Sequence, residues 1–322
     1  MKPAARSEKS VRPPIVLLGA QRFEPTLGAA MKELKLSGRV ALITAGWQER
    51  ESEDEELSAH IGLPTVNLKL HARSDQLFRH DTELRAAHRE RGEALRYHQD
   101  FYRVRLEHAL DAAWAIAHRA APEEIAAEQR EISVKTIRAL DKGHLASCAR
   151  IHQAFEERWS LATRPSVAKH RNELAELVRG CEAVAIAGGH VATLVNRLAL
   201  FGVGPLLRDK TIFAWSGGAM ALAERVVLFH DDPPQGPGAS EVLDAGLGLV
   251  PAAVLLPQPE QRLKLDQQER VQSMVQRFAP ALCLALPARS RVTFGNSGFS
   301  SAEGVLELCP DGGSRTFQAE SR

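Results

Sequence analysis

Two short segments in the second half of the chain constrain its fold most, because each is an apolar run that stops at a pair of glycines. Residues 183–187 precede Gly-Gly-His at 188–190, and residues 211–215 precede Ser-Gly-Gly at 216–218. A helix-like stretch follows the glycines in both cases. Apolar strands that alternate with helices are typical of a parallel sheet covered on both faces. The sequence therefore predicts an α/β fold with a doubly wound, mostly parallel sheet.

The same alternation opens the chain, where apolar runs at 15–18 and 40–44 flank a helix-like stretch at 27–36. Between residues 73 and 179 glycine becomes rare, and Ala, Glu, Arg, Leu and His dominate, which predicts helices. We expect Pro122, Gly143 and Pro165 to divide this block into several helices. The predicted divisions are a flexible leader at 1–13, a first part of the α/β domain at 14–72, an α-helical insertion at 73–179, a second part of the α/β domain at 180–310 and a tail at 311–322.

Charge and composition exclude several classes of partner. The chain has 41 Lys and Arg against 40 Asp and Glu, a formal net charge of +1, so nothing draws it as a whole toward nucleic acid or an anionic membrane. No apolar stretch approaches the roughly 18 to 20 residues that a membrane-spanning helix needs. The four cysteines are scattered without a disulfide or zinc spacing. We therefore expect a cytoplasmic protein with neither nucleic-acid nor membrane partners.

No cofactor or metal site is predicted. The chain has neither a dinucleotide-binding glycine motif after a strand nor a phosphate-binding loop with Gly-Lys-Ser/Thr. Five histidines of the helical block follow one another at steps of eight and then ten residues, which do not keep side chains on one helix face. We interpret them as solvated helix positions; they are His80, His88, His98, His108 and His118.

Ser216 is the candidate nucleophile. It stands where a predicted buried strand meets a helix, and the small residues after it allow the sharp turn of a nucleophile elbow. The amide of Gly217 would then point to where an oxyanion develops. A Ser-Gly-Gly sequence at a strand end is also typical of a plain turn, so the motif alone leaves both interpretations open.

The surrounding residues resemble a known family. The Gly-Gly-His turn with its helix, the Ser-Gly-Gly-Ala sequence at 216–219 and the Gly-Leu-Gly-Leu-Val-Pro sequence at 246–251 are similar to segments of the peptidase S51 family, which includes dipeptidase E and cyanophycinase. The resemblance implies a class I glutamine-amidotransferase-like, flavodoxin-like fold. It also implies a serine hydrolase acting on a peptide or isopeptide amide, with Gly189 as the second oxyanion donor.

The chain departs from this family at the general base. Where the family has Pro-His, this sequence has Pro257-Gln258, and a glutamine amide cannot accept a proton from a serine hydroxyl. His190 and His230 are the candidate replacements. Asp231 either orients His230 or only caps a turn.

Two functional hypotheses follow. The first is a hydrolase whose substrate is a peptide or a small amide, with an atypical base or none. The second is an inactive S51-like protein that binds a ligand or a protein partner, including a second copy of itself, through the helical insertion.

Overall fold

The computed structural model describes residues 12–231 and 239–319. The strands are β1 (Ile15–Leu18), β2 (Val40–Ile43), β3 (Thr65–Asn67), β4 (Ala183–Ile186), β5 (Thr211–Trp215), β6 (Arg225–Leu228), β7 (Glu241–Ala245), β8 (Ala253–Pro257), β9 (Leu282–Leu286), β10 (Arg291–Gly295), β11 (Gly298–Glu303), β12 (Leu306–Leu308) and β13 (Ser314–Thr316). The helices are α1 (Leu27–Glu33), α2 (Glu55–Ile61), α3 (Leu70–His80), α4 (Thr82–Ala117), α5 (Glu123–Trp159), α6 (Pro165–Arg179), α7 (Val191–Leu200), α8 (Gly217–Leu222), α9 (Pro259–Arg262) and α10 (Gln268–Phe278).

The central sheet has the strand order β11-β10-β1-β5-β4-β2-β3. The five strands from β1 to β3 in this order are parallel, and the β10–β11 hairpin is antiparallel at one edge. Strands β1, β2 and β4 are entirely apolar and buried, as expected when helices cover both faces. The predicted doubly wound, mostly parallel α/β fold is confirmed.

A second sheet and a separate hairpin complete the fold. The second sheet has the order β13-β12-β9-β8, and β6 pairs with β7 alone. The sequence predicts short strands at 282–286, 291–294 and 305–308, which correspond to β9, β10 and β12. It does not predict β6, β7, β11 or β13.

Helices α4 and α5 form a long antiparallel hairpin within the predicted helical block. Pro122 stands immediately before α5 and Pro165 is the first residue of α6, so both breaks are confirmed. The break predicted at Gly143 is wrong, because this residue lies inside α5. A single glycine weakens a helix without ending it. Although α4 and α5 have 36 and 37 residues, no helix in the described ranges is apolar enough to cross a membrane.

Buried charges attach this hairpin to the rest of the molecule. Arg277 of α10 donates from Nε and Nη2 to both carboxylate oxygens of Asp141 on α5, each at 2.7 Å. Tyr102 of α4 donates its hydroxyl to Asp141 at 2.7 Å and accepts from the N–H of Val242 on β7. The Arg277 and Asp141 side chains are each only 4% exposed. We call Tyr102, Asp141 and Arg277 the hairpin clasp.

Candidate active site

Ser216 lies between β5 and α8 in a strained backbone conformation. Its φ is 51° and its ψ is −129°, a region that residues other than glycine rarely adopt. The next residue, Gly217, already begins the helix. This geometry turns the chain sharply and leaves the half-buried Ser216 side chain at the carboxyl edge of the sheet, as a nucleophile elbow does.

Glycines make the elbow possible because three turns touch one another at this edge. A Cβ atom added to Gly188 would lie 2.5 Å from the Cβ of Ser216. One added to Gly218 would lie 2.2 Å from the carbonyl oxygen of Ile186, and one added to Gly46 would lie 2.3 Å from that of Gly188. The turn after β2, which contains Gly46, is a part of the site that the sequence does not single out. Its only signal is a glycine just after a buried strand.

Two backbone N–H groups are available to an oxyanion. Gly217 is the first residue of α8, and Gly189 has a φ of 102° that favours glycine. The two residues are adjacent, since a Cβ on Gly217 would lie 3.0 Å from the Gly189 carbonyl oxygen. Within the described residues, neither N–H donates a hydrogen bond. Both predicted oxyanion donors therefore lie together beside Ser216.

A pocket of about 570 Å³ opens at the elbow. Its lining brings together residues that are far apart in the sequence but were singled out there: Gly189, Ser216, Gly217, His230 and Gln258. Neither His190 nor Asp231 lines it.

His190 is held by the start of α7. Its Nδ1 accepts from the N–H of Thr193 at 3.2 Å and lies 2.9 Å from the Thr193 hydroxyl, which in turn accepts from Gln48 at 3.1 Å. Because a backbone N–H can only donate, Nδ1 must be unprotonated, and the proton of the neutral ring is then on Nε2. In this arrangement neither ring nitrogen of His190 has a free lone pair for the serine proton.

His230 is exposed at the pocket, just after β6, and it is not oriented by its neighbour. Asp231 is buried and accepts from the N–H of Lys264 at 2.8 Å and from Nη2 of Arg270 at 2.9 Å. The carboxylate thus ties the end of β6 to the segment after α9, which corresponds to the turn-capping alternative. Asp232 and Pro233, the next two residues along the chain, lie outside the described residues.

Gln258 occupies the pocket at the end of β8, in a left-handed backbone conformation with φ 57° and ψ 51°. The position that carries the histidine in the resembled family therefore faces the same space as Ser216. In the parts of the chain that the structure describes, no hydrogen bond joins the Ser216 hydroxyl to Gln258, His190 or His230. His230 and Gln258 thus line the same pocket as Ser216, but no hydrogen-bonded relay joins them among the described residues.

Charged residues that the sequence did not indicate also line the pocket. Arg103, from α4 of the helical hairpin, donates to both carboxylate oxygens of Glu241 at 2.8 and 3.1 Å. Arg262 makes no ion pair with any described residue, and its guanidinium lies 5.9 Å from the ring centroid of Phe229. Burial lowers the pKa of Arg262. Among the described residues, the pocket lining thus contains one neutralised ion pair and one positive charge without an ion-pair partner.

Residues 12–231 and 239–319 contain no cluster of side chains suited to metal binding. No three His, Cys, Asp or Glu side chains there come close enough to hold an ion. Among the described residues, this edge offers a hydroxyl, two backbone N–H groups, an imidazole, a carboxamide, a carboxylate and two guanidinium groups.

Solved structures that are similar to this chain include two of peptidases. A crystal structure of a peptidase from an acI-B1 actinobacterium is 12% identical, and the match covers 95% of this chain and 98% of the peptidase with a TM-score of 0.48. A candidate peptidase E protein from Listeria monocytogenes EGD-e is 10% identical, with 95% and 100% covered and a TM-score of 0.43. No family model matches the chain. No curated protein matches it either. At such identities the S51 resemblance of the sequence stays a prediction, and function rests on the site geometry.

Proposed function

We propose that this protein is a serine-type, S51-peptidase-like hydrolase that cleaves a peptide or isopeptide amide bond. The observation that carries the proposal is the backbone of Ser216, whose φ of 51° places a hydroxyl at the sheet edge beside two unbonded N–H groups. Such strain costs of order 1–3 kcal/mol and persists only where the surroundings enforce it. Here the enforcing contacts are those of Gly188 and Gly218.

In the proposed reaction Ser216 Oγ attacks the amide carbon, and the N–H groups of Gly189 and Gly217 donate to the oxyanion that forms. His230 is the better of the two candidate bases, since it lines the pocket and its ring nitrogens are unbonded among the described residues. It would take the serine proton and pass it to the leaving nitrogen, after which water would hydrolyse the acyl-enzyme. Without an orienting carboxylate this base would be slow.

The substrate in this proposal carries a negative charge. Arg262 supports this, because its guanidinium is partly buried in the pocket and unpaired within the described chain, whereas Arg103 is already engaged by Glu241. A guanidinium favours a carboxylate as its partner. We expect Arg262→Ala to raise KM for an anionic substrate far more than for a neutral analogue.

Labelling with a fluorophosphonate probe tests the proposal. Wild-type protein should be labelled, Ser216→Ala should not, and Ser301→Ala, which removes an exposed hydroxyl on β11, should behave as wild type. Loss of labelling in His230→Ala but not in His190→Ala would assign the base. Absence of labelling in a wild-type protein shown to be folded would overturn the hydrolase proposal.

Gln258→His provides a gain-of-function test of the same site. Histidine tolerates the left-handed conformation of this position better than most residues, and a restored base contributes about 10²-fold or more to such reactions. We expect faster labelling of Ser216 and a pH dependence that follows imidazole titration. An unchanged rate would show that residue 258 cannot reach the serine.

The second candidate function is binding without catalysis, through the pocket and the helical hairpin. Two observations favour it: Gln258 stands in the pocket without a formed relay to Ser216, and large apolar side chains of α4 are exposed. Tyr97, Phe101, Val104 and Trp114 are each more than half exposed. This function predicts a folded protein that resists the probe while retaining a ligand, and self-association or partner binding that is lost in Phe101→Ser.

We also propose that the protein is located in the cytoplasm. All four cysteines are buried and free, as reduced thiols would be. Burial raises the pKa of the Cys283 thiol to about 12, so this group is protonated and unreactive at neutral pH. None of the four competes with Ser216 as the nucleophile.

A further inference from the structure

Arg91 is a buried arginine with an empty hydrogen-bonding edge. It lies on α4, facing α5, and is only 7% exposed. Its guanidinium carbon is 4.4 Å from the ring centroid of Phe155. Its Nε and Nη2 atoms are buried and have no hydrogen-bond partner within the described residues. Buried donors of a charged group are costly to leave unpaired.

The unpaired atoms of Arg91, Nε and Nη2, are the same two atoms with which other arginines of this protein hold carboxylates. Arg103, Arg164 and Arg277 each donate from Nε and Nη2 to the two oxygens of one carboxylate, at 2.6 to 3.1 Å. Paired N–H donors in this fork match two oxygens of an oxyanion. Arg91 presents the same fork in a more buried position than Arg103 or Arg164, and no acidic side chain of the described residues reaches it.

The neighbours of Arg91 add positive charge. Arg197 on α7 has a buried Nε without a partner, and its Nη1 donates to Asn196 Oδ1 at 2.8 Å. His88 bonds the same oxygen through Nε2 at 3.0 Å. Burial, reinforced by Arg91 and Arg197, lowers the pKa of His88 to about 3, so this residue is neutral. His88 is half-buried and bonded to Asn196, so the solvated position that the sequence predicts for it is wrong.

The nearest carboxylates are already engaged or remote. Asp244 accepts from His152 at 2.7 Å and from the N–H of Ala245 at 2.8 Å. Glu156 is exposed and makes no ion pair with Arg91. Both act on Arg91 only through longer-range electrostatics. The cluster between α4, α5 and α7 thus has one buried and one half-buried cation, and no contacting counterion among the described residues.

We propose that Arg91 binds a small oxyanion, an inorganic phosphate or a free carboxylate, in a buried site between the helical hairpin and α7. The anion would accept hydrogen bonds from Nε and Nη2 of Arg91. The positive charge of Arg197 would attract it as well. It would fasten the hairpin to the α/β core at this point, in addition to the hairpin clasp. The site is separate from the Ser216 pocket and does not depend on hydrolytic activity.

Titration of the full chain with inorganic phosphate, followed by calorimetry and thermal unfolding, tests the proposal. All proteins carry Arg262→Ala, so that the unpaired guanidinium of the pocket does not contribute. Phosphate should raise the unfolding temperature more than sodium chloride at equal ionic strength. Arg91→Gln should weaken phosphate binding at least about tenfold, because charge-assisted hydrogen bonds are removed.

Arg89→Gln is the matched control, since Arg89 lies on the same helix with its side chain 82% exposed; phosphate binding should be unchanged. Arg91→Lys keeps the charge without the fork, so it should also bind less tightly, and it decides the matter if Arg91→Gln does not fold. Formate in place of phosphate separates a preference for carboxylates from one for phosphate. Equal stabilisation by phosphate, formate and chloride, or unchanged binding in Arg91→Lys, would overturn the proposal and indicate a site filled by water.

Discussion

The carboxyl edge of the central sheet and the attachment of the helical hairpin are held together by opposite means. At the edge, Gly46, Gly188 and Gly218 bring backbone atoms so close that one added carbon would collide. At the hairpin clasp, Asp141 and Arg277 are buried charges that are stable only as a pair. The first region is sensitive to an added atom, and the second to a missing partner. Function is proposed for the first, whereas the second only holds the α4–α5 hairpin in place.

The largest effect is expected at the clasp. Arg277→Met leaves the Asp141 carboxylate buried without its counter-charge, so the free energy of unfolding should fall by about 3–5 kcal/mol. Adding Asp141→Leu to this variant should restore most of the loss, because no charge then remains unpaired. Urea denaturation measures both. If Arg277→Met costs less than about 1 kcal/mol, the clasp does not fasten the hairpin.

Gly188→Ala should lower the stability less than Arg277→Met does, but it should abolish the reactivity of Ser216. The new Cβ, 2.5 Å from that of Ser216, forces the elbow to shift and should cost about 1–3 kcal/mol. Fluorophosphonate labelling should disappear while the protein stays folded. Arg277→Met, in contrast, should retain labelling in its folded fraction. Labelling that survives Gly188→Ala would contradict the close packing that we assign to the edge.

The hairpin should also be the pH-sensitive region. The folded-state pKa of His88 is about 3, below its ordinary value of about 6.5, so the unfolded chain binds a proton that the folded chain excludes. Stability should therefore fall as the pH drops from about 6.5 toward 3, by at most about 1.4 kcal/mol per pH unit. His88→Gln keeps a donor for Asn196 and should flatten this slope. The free energy of unfolding is measured by urea titration at several pH values. If it depends on pH equally in the wild-type protein and in His88→Gln, a group other than His88 is responsible.

The smallest expected effect is a gain in stability from replacing two helix glycines. Gly92 in α4 and Gly143 in α5 have no heavy atom within 4 Å of an added Cβ. Each change to Ala should raise the free energy of unfolding by about 0.5–1 kcal/mol, since alanine favours the helix. These variants are also controls for Gly188→Ala. A loss of stability in either would mean that the hairpin is packed more tightly than its contacts indicate.

Much of the fold and part of the site could be predicted from the chain alone. The strands β1, β2, β4 and β5 are apolar runs bounded by glycine, and Ser216 follows the last of them. Arg103 and Arg262 could not be predicted as pocket residues. They lie on a long helix and at the end of a short one, and neither is near Ser216 in the sequence.

What the sequence by itself determined is local: which segments are strands, where glycine must stand, and that position 258 is a glutamine, which cannot act as a base. These depend on hydrophobic periodicity and backbone sterics, which act over a few neighbouring residues. Only the tertiary structure decided that Asp231 binds Lys264 and Arg270 instead of orienting His230, and that two nitrogens of Arg91 lack a partner among the described residues. Hydrogen bonds and ion pairs between distant segments depend on directions that the chain acquires only when it is folded.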